Sequence, residues 1–234
     1  MNRAYYSDTI SSFILAKPNA IIGTMSLCSE FADDPLQKAS WVEEIRILQD
    51  VLLPFSGSIY FEYSIPRMGK RIDTLLVINH LLFVLEFKIG EEEYPAYAVD
   101  QVWDYALDLK YFHETSHDQY IVPILISTKA TNSYSYFIHS QKNDRVFEPV
   151  KCNALVLRNV IETALEYINA PPIEIKEWEN GRYSPTPSII EAALALYNGH
   201  SVSEITRSDA SAIRSDNPRG RSDPGCSAPG GFDL

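Results

Sequence analysis

The sequence predicts a mixed α/β domain whose central strands form an antiparallel meander. Three features carry that expectation: an apolar stripe at helical spacing over residues 37–53, three β-rich segments in succession between 58 and 89, and a second helical stripe followed by an apolar run of strand length. The strands do not alternate singly with helices, which disfavours a doubly wound nucleotide fold. The chain has 234 residues, 45% hydrophobic and 22% charged, enough for one globular domain with a sizeable core.

Residues 1–36 carry a short apolar pattern (Ile10, Phe13, Ile14), Pro18, a β-branched run around Ile21-Ile22-Gly23-Thr24 and the acidic break Asp33-Asp34-Pro35. They are read as a lead-in element packed on the main domain. Over 37–53, Trp41, Ile45, Leu48 and Leu52 recur at helical spacing, and Pro54 stops the helix. Residues 58–65 are aromatic and β-branched, bounded by Gly57 and by Pro66-Arg67-Met68-Gly69, as strands are. A second strand is expected over 71–78 and a third over 81–89, joined by Asn79-His80 as a two-residue turn. A helix follows over 95–113, with Ala98, Val102, Leu109 and Phe112 on one stripe and Pro95 in its first turn. Residues 120–127 read as a strand, 154–157 as another, and 160–167 as a helix. The last periodic segment, 189–197, ends at Asn198-Gly199, a helix stop. From Arg214 onward, ten of the 21 residues are Gly, Pro or Ser, so this tail cannot bury enough surface to offset its ordering entropy. The expected organisation is therefore a lead-in at 1–36, a main domain at 37–199, and a linker and disordered tail at 200–234.

Twenty Lys and Arg against 31 Asp and Glu give a net charge of −11, so a general basic field for nucleic acid is excluded and any such contact must come from a local patch. Arg67, Lys70, Arg71 and Lys88 are the one obvious cluster of that kind; it suits phosphate positioning or simply a solvated turn. Cys28, Cys152 and Cys226 are odd in number and far apart, the pattern of reduced thiols in a cytoplasmic protein. The N-terminus lacks a signal-peptide pattern, and the apolar stretch 72–89 carries Asp73, His80, Glu86 and Lys88, which a bilayer would disfavour.

The chemistry concentrates on the hairpin. If Asn79-His80 is the turn, Asp73 lies directly opposite Glu86, on one face and about 5 Å apart at Cβ. Two like charges inside otherwise apolar strands call for a cation between them, and hard divalent ions such as Mg2+ take carboxylate oxygens in this way. Lys88, two residues after Glu86, falls on the same face, where an ammonium can orient an attacking water; the Phe87 carbonyl is a further candidate ligand. A solvent-exposed salt bridge among the same residues is the competing reading. On the first helix Glu44 sits at the edge of the buried stripe, and on the second Gln101 and Tyr105, four apart, share a face from which they could reach the site.

This ordered set resembles the PD-(D/E)XK, restriction-endonuclease-like superfamily, closest to its RecB-type branch: a helical acid (Glu44), Gly69-Lys70-Arg71-Ile72-Asp73, Glu86-Phe87-Lys88, then Gln101-Val102-Trp103-Asp104-Tyr105. The resemblance implies an αβββαβ core with a mixed sheet flanked by helices and a Mg2+- or Mn2+-dependent endonuclease hydrolysing phosphodiester bonds. It implies Asp73 and Glu86 as metal ligands, Lys88 as the catalytic lysine, Glu44 as an auxiliary acid, and Gln101 and Tyr105 as support. A narrower resemblance, over Trp41 through Tyr105 and in Gly199-His200-Ser201-Val202-Ser203-Glu204-Ile205, is to the N-terminal nuclease-like region of bacterial Schlafen-like superfamily-1 helicase proteins, which are linked to defence against phage. No G-x-x-x-x-G-K-[ST] occurs, so no helicase activity is implied, and the chain reads either as a naturally short version or as a truncated one, its tail suiting truncation or a frameshift. The expected partner is nucleic acid, DNA ahead of RNA, with a helicase or defence protein as a second partner and no membrane. An inert nuclease-fold module that docks a protein, and a ribonuclease using the same site, are the alternatives. His113 and His117 have helical metal-ligand spacing but lack a supporting acid, and Glu91-Glu92-Glu93 suits a helix N-terminus.

Overall fold

Among the described residues six strands form a single mixed sheet in sequential order: β1 (Tyr6–Thr9), β2 (Ser58–Ile65), β3 (Lys70–Ile78), β4 (Leu81–Lys88), β5 (Tyr120–Ser127) and β6 (Val150–Cys152). The computed structural model describes residues 3–29, 34–66, 69–131 and 144–183. The helix expected at 189–197, the stretch from Gly199, the tail, Cys226 and Arg67 lie outside the described residues. β1 to β4 pair antiparallel, while β4–β5 and β5–β6 are parallel. A parallel pair cannot be joined by a tight turn, and helix α4 (Ala96–Phe112) makes the crossover from β4 to β5.

Helices cover both faces. One face packs on α1 (Ile10–Leu15), α2 (Pro18–Cys28), α3 (Pro35–Val51) and α5 (Leu157–Tyr167), through Phe13, Ile21, Trp41, Leu48 and Ile161 against Phe61, Leu76, Phe83 and Ile124. The other packs on α4 and α6 (Ile175–Glu179), through Val102, Tyr105 and Trp178 against Tyr60, Leu75, Val84 and Leu125. Every residue of β4 except Lys88 is buried, as a central strand covered on both sides requires. Among the described residues no helix is long and apolar enough to cross a membrane.

The local chemistry explains the element ends. Thr9 caps α1 by accepting the Ser12 amide, and Asp34 caps α3 by accepting the Leu36 amide, with Pro35 in the first turn. The acidic break in the sequence is therefore a helix start. At the β3–β4 turn Asn79 has φ +52° and His80 does not, so only the residue that tolerates left-handed backbone is asked to adopt it.

The run at 21–24, part of the lead-in, lies inside α2, behind Pro18 at the helix start. Two local expectations need correction. Residues 154–157 are not a strand: the Asn153 side chain accepts the amides of Leu155 at 3.1 Å and Val156 at 3.3 Å, a local turn that launches α5 at Leu157 and leaves Leu155 90% exposed. His113 and His117 do not share a helix face, because α4 ends at Phe112. His113 is buried with Nδ1 2.7 Å from Ser116 Oγ, and burial pushes its pKa down to about 3.

Candidate functional site

The β3–β4 ladder runs from Ile78↔Leu81 to Thr74↔Leu85 and stops one step short of Asp73 and Glu86. There a side chain takes over from the backbone: Asp73 Oδ2 accepts the Phe87 amide at 2.8 Å. On the next strand Glu86, 2% exposed, accepts Lys88 Nζ at 2.8 Å on Oε1, while its Oε2 is buried with no hydrogen-bond partner. The structure thus brings Asp73, Glu86 and Lys88 together where the two central strands part.

A further acid belongs to the group and was not singled out from the sequence. On β2, Glu62 has φ +52°. The β2–β3 ladder is interrupted there, between Phe61↔Thr74 and Tyr63↔Ile72. The interruption turns both strands over: Tyr60 and Tyr63, three apart, lie in the same core layer, as do Ile72 and Leu75, where strict alternation would separate them. A non-glycine residue in left-handed backbone is strained by roughly 1–2 kcal/mol. Three contacts hold it: Trp41 Nε1 donates to Glu62 Oε1 at 2.9 Å, Gln37 Nε2 donates to the same oxygen at 3.5 Å, and Arg71 Nη1 donates to the Glu62 carbonyl at 3.1 Å. The available signal was a lone acid in an otherwise aromatic and aliphatic strand, but its meaning depends on the β2–β3 register, which the four-residue connection 66–69 does not fix.

Among the described residues the site holds four acids, Glu44, Glu62, Asp73 and Glu86, against the cations Lys70, Arg71 and Lys88. Burial pushes Glu44 well above the usual carboxylate range, and Asp73, Glu62 and Glu86 push it further, with Lys88 opposing. Asp73 is half-exposed as a residue, yet its carboxylate end is turned inward onto the Phe87 amide; burial and the Glu86 charge hold its pKa well up. Burial also raises Glu86, against the pull of Lys88, and raises Glu62, against Trp41 and Arg71. Burial alone would lower Lys88, but the charge and hydrogen bond of Glu86, with Asp73 and Tyr97, keep it above its ordinary value. Glu44, 5% exposed on α3, therefore belongs to this neighbourhood. So does Tyr105 on α4, buried, raised by desolvation and by the charges of Glu86 and Asp73, and accepting a 2.8 Å hydrogen bond from Gln101 Nε2.

The remaining candidates divide. Lys70 is exposed and close enough for its charge to act on Glu86. Arg71 is committed to the fold, with its guanidinium carbon 4.0 Å from the Tyr5 ring centroid and its Nη1 on the Glu62 carbonyl. Phe87 contributes its amide to Asp73 and its ring to the core. A cavity of about 310 Å³ lined by Arg3, Tyr60, Tyr63, Trp178 and Glu179 shares no residue with this site.

The donor set is oxygen throughout, with one desolvated carboxylate oxygen left unpaired, which suits a hard divalent cation such as Mg2+ or Mn2+. Among the described residues no group of three or more His, Cys, Asp or Glu side chains is placed to hold a metal ion. An ion here would rest on Asp73 and Glu86, with water completing its shell, as is usual for Mg2+. Compared with known proteins, the chain matches no family model, no curated protein and no solved structure.

Proposed function

We propose that this protein is a Mg2+- or Mn2+-dependent nuclease that hydrolyses phosphodiester bonds in DNA, built on a restriction-endonuclease-like αβββαβ core. One observation carries the reading: Asp73 and Glu86, on strands that separate at that point, are desolvated beside a lysine that bonds Glu86 at 2.8 Å, and Glu86 keeps a buried oxygen unpaired. Clustered buried carboxylates are costly unless something cationic is meant to join them. A divalent ion held by Asp73 and Glu86 would supply a polarised phosphoryl oxygen and an activated water.

The chain's own residues do the rest. Lys88, fixed by Glu86, presents a charged donor that orients a water and stabilises negative charge developing on phosphate. Tyr105, held by the Gln101 amide, keeps a phenol within reach of the Glu86 and Asp73 charges. Glu44, raised by burial and by the Asp73 charge, is the auxiliary acid of the set. Exposed Lys70 is placed to meet a flanking phosphate. A setting in phage defence, with a helicase partner, rests on the motif resemblance.

Cleavage of labelled DNA in Mg2+ tests the reading. Lys88→Ala should abolish cutting while circular dichroism stays that of the parent; a variant that cuts as fast as the parent refutes the assignment. Calorimetric titration with Mn2+ should give heat that Asp73→Asn loses. Because Lys88 already pairs with Glu86, a second reading is an inert module that docks a partner protein, and it predicts no Mn2+ heat from the parent. Labelled RNA run in parallel separates the ribonuclease alternative.

A further inference from the structure

The α4 face that carries Gln101 and Tyr105 extends one step further towards solvent. Tyr97, Gln101 and Tyr105 are spaced four apart, so they form one stripe along the helix. Tyr105, at its inner end, is buried within reach of the Glu86 and Asp73 charges; Gln101 bridges to it at 2.8 Å; Tyr97, in the first turn, is 63% exposed. Lys88 Nζ lies 5.5 Å from the Tyr97 ring centroid, a cation–π contact that fixes this aromatic at the mouth of the site. A large ring left mostly in water beside the reactive lysine has no core to fill.

Charge decides what such a ring is for. The chain carries −11 overall, and the exposed run Glu91-Glu92-Glu93 lies between Lys88 and α4. Arg71 is held by Tyr5 and the Glu62 carbonyl, which leaves Lys70 as the exposed cation among the described phosphate candidates. A duplex offers its phosphates outermost and its bases stacked away, so it would meet mostly negative surface and gain nothing from an aromatic. An unpaired base gains a stacking partner on any exposed ring whatever its sequence. Building on the nuclease reading above, we infer that Tyr97 is a stacking platform for an unpaired base next to the bond to be cut, and that the substrate class of this site is single-stranded DNA.

The test separates binding from cleavage. With divalent ions chelated, anisotropy of a labelled thymidine homopolymer and of a blunt duplex of equal length is measured on the full chain, on Tyr97→Ala and on Tyr97→Phe. The single strand should bind tighter than the duplex. Tyr97→Ala should lose about tenfold on the single strand, the loss of one stacked base, with the same thermal midpoint as the parent, and Tyr97→Phe should keep parental affinity. In Mg2+, Tyr97→Ala should raise KM by about the same factor as it weakens single-strand binding, and Tyr97→Phe should restore the parental KM. Equal binding by Tyr97→Ala, preference for the duplex, or no binding of either probe overturns the inference, as does preferential binding of single-stranded RNA. Tyr97-dependent binding of the single strand with no Mg2+-dependent cutting leaves the platform standing and removes the enzyme.

Discussion

Glu62 shows what a single left-handed residue does to a sheet. Its positive φ turns β2 and β3 over together and frees Asp73 from the ladder, so the acid can take the Phe87 amide with its side chain. Backbone strain stored beside a cluster of acids is a recurrent feature of functional sites. Glycine accepts φ +52° without penalty and alanine does not, so Glu62→Ala should be less stable than Glu62→Gly by roughly 1 kcal/mol in urea denaturation, although alanine is the better residue in ordinary strands. Both variants lose the carboxylate contacts to Trp41 and Gln37 equally, so the reverse order would show that the left-handed backbone carries no such penalty at this position. The acids also give a signed pH dependence. Folding raises Glu44 and Asp73 above their ordinary values of 4.5 and 3.8, so the folded chain keeps protons that the unfolded chain releases. Stability from these groups is therefore full below about pH 4 and declines as pH rises towards the raised folded values. Thermal midpoints of the ion-free protein should fall from mildly acidic to neutral pH, and Asp73→Asn should flatten that slope. An unchanged slope would mean that repulsion across the whole surface sets it.

At the level of elements, the turns bear the tightest constraints. Gly57 opens β2 at φ +147°, and an added Cβ would sit 2.0 Å from the Val77 carbonyl oxygen on β3. That neighbour is backbone and cannot move aside, so Gly57→Ala should cost at least about 2 kcal/mol, read from the denaturation midpoint. The elements with one strong period were legible in the sequence. The stripe of Trp41, Ile45 and Leu48 foretold α3, the Asn79-His80 turn fixed the β3–β4 register, and the apolar run foretold β5. What escaped was chemistry set by partners distant in sequence. The 154–157 segment looked like a strand by composition, but Asn153 hydrogen-bonds its backbone into a turn. The strand-turning role of Glu62 required knowing that Thr74 faces Phe61. Within the candidate site, the hairpin acids could be read from the turn alone, whereas the neighbourhood of Glu44 and Tyr105 depends on two helices packing on opposite faces of one sheet.

For the molecule as a whole, charge sets how any nucleic acid is met. With 31 acids against 20 bases, few phosphates can be neutralised, so the logarithm of single-strand affinity should change with the logarithm of salt by a slope of only about −1. A much steeper dependence would reveal a basic surface beyond the described residues and would weaken the stacking argument. The sheet's outline has its own meaning. Its longest strands lie inside, whereas β1 has four residues and β6 three. Among the described residues each margin is thus a short strand, a poor template for another chain to zip onto, and brevity at the borders is one way a sheet with such apolar central strands avoids edge-to-edge polymerisation.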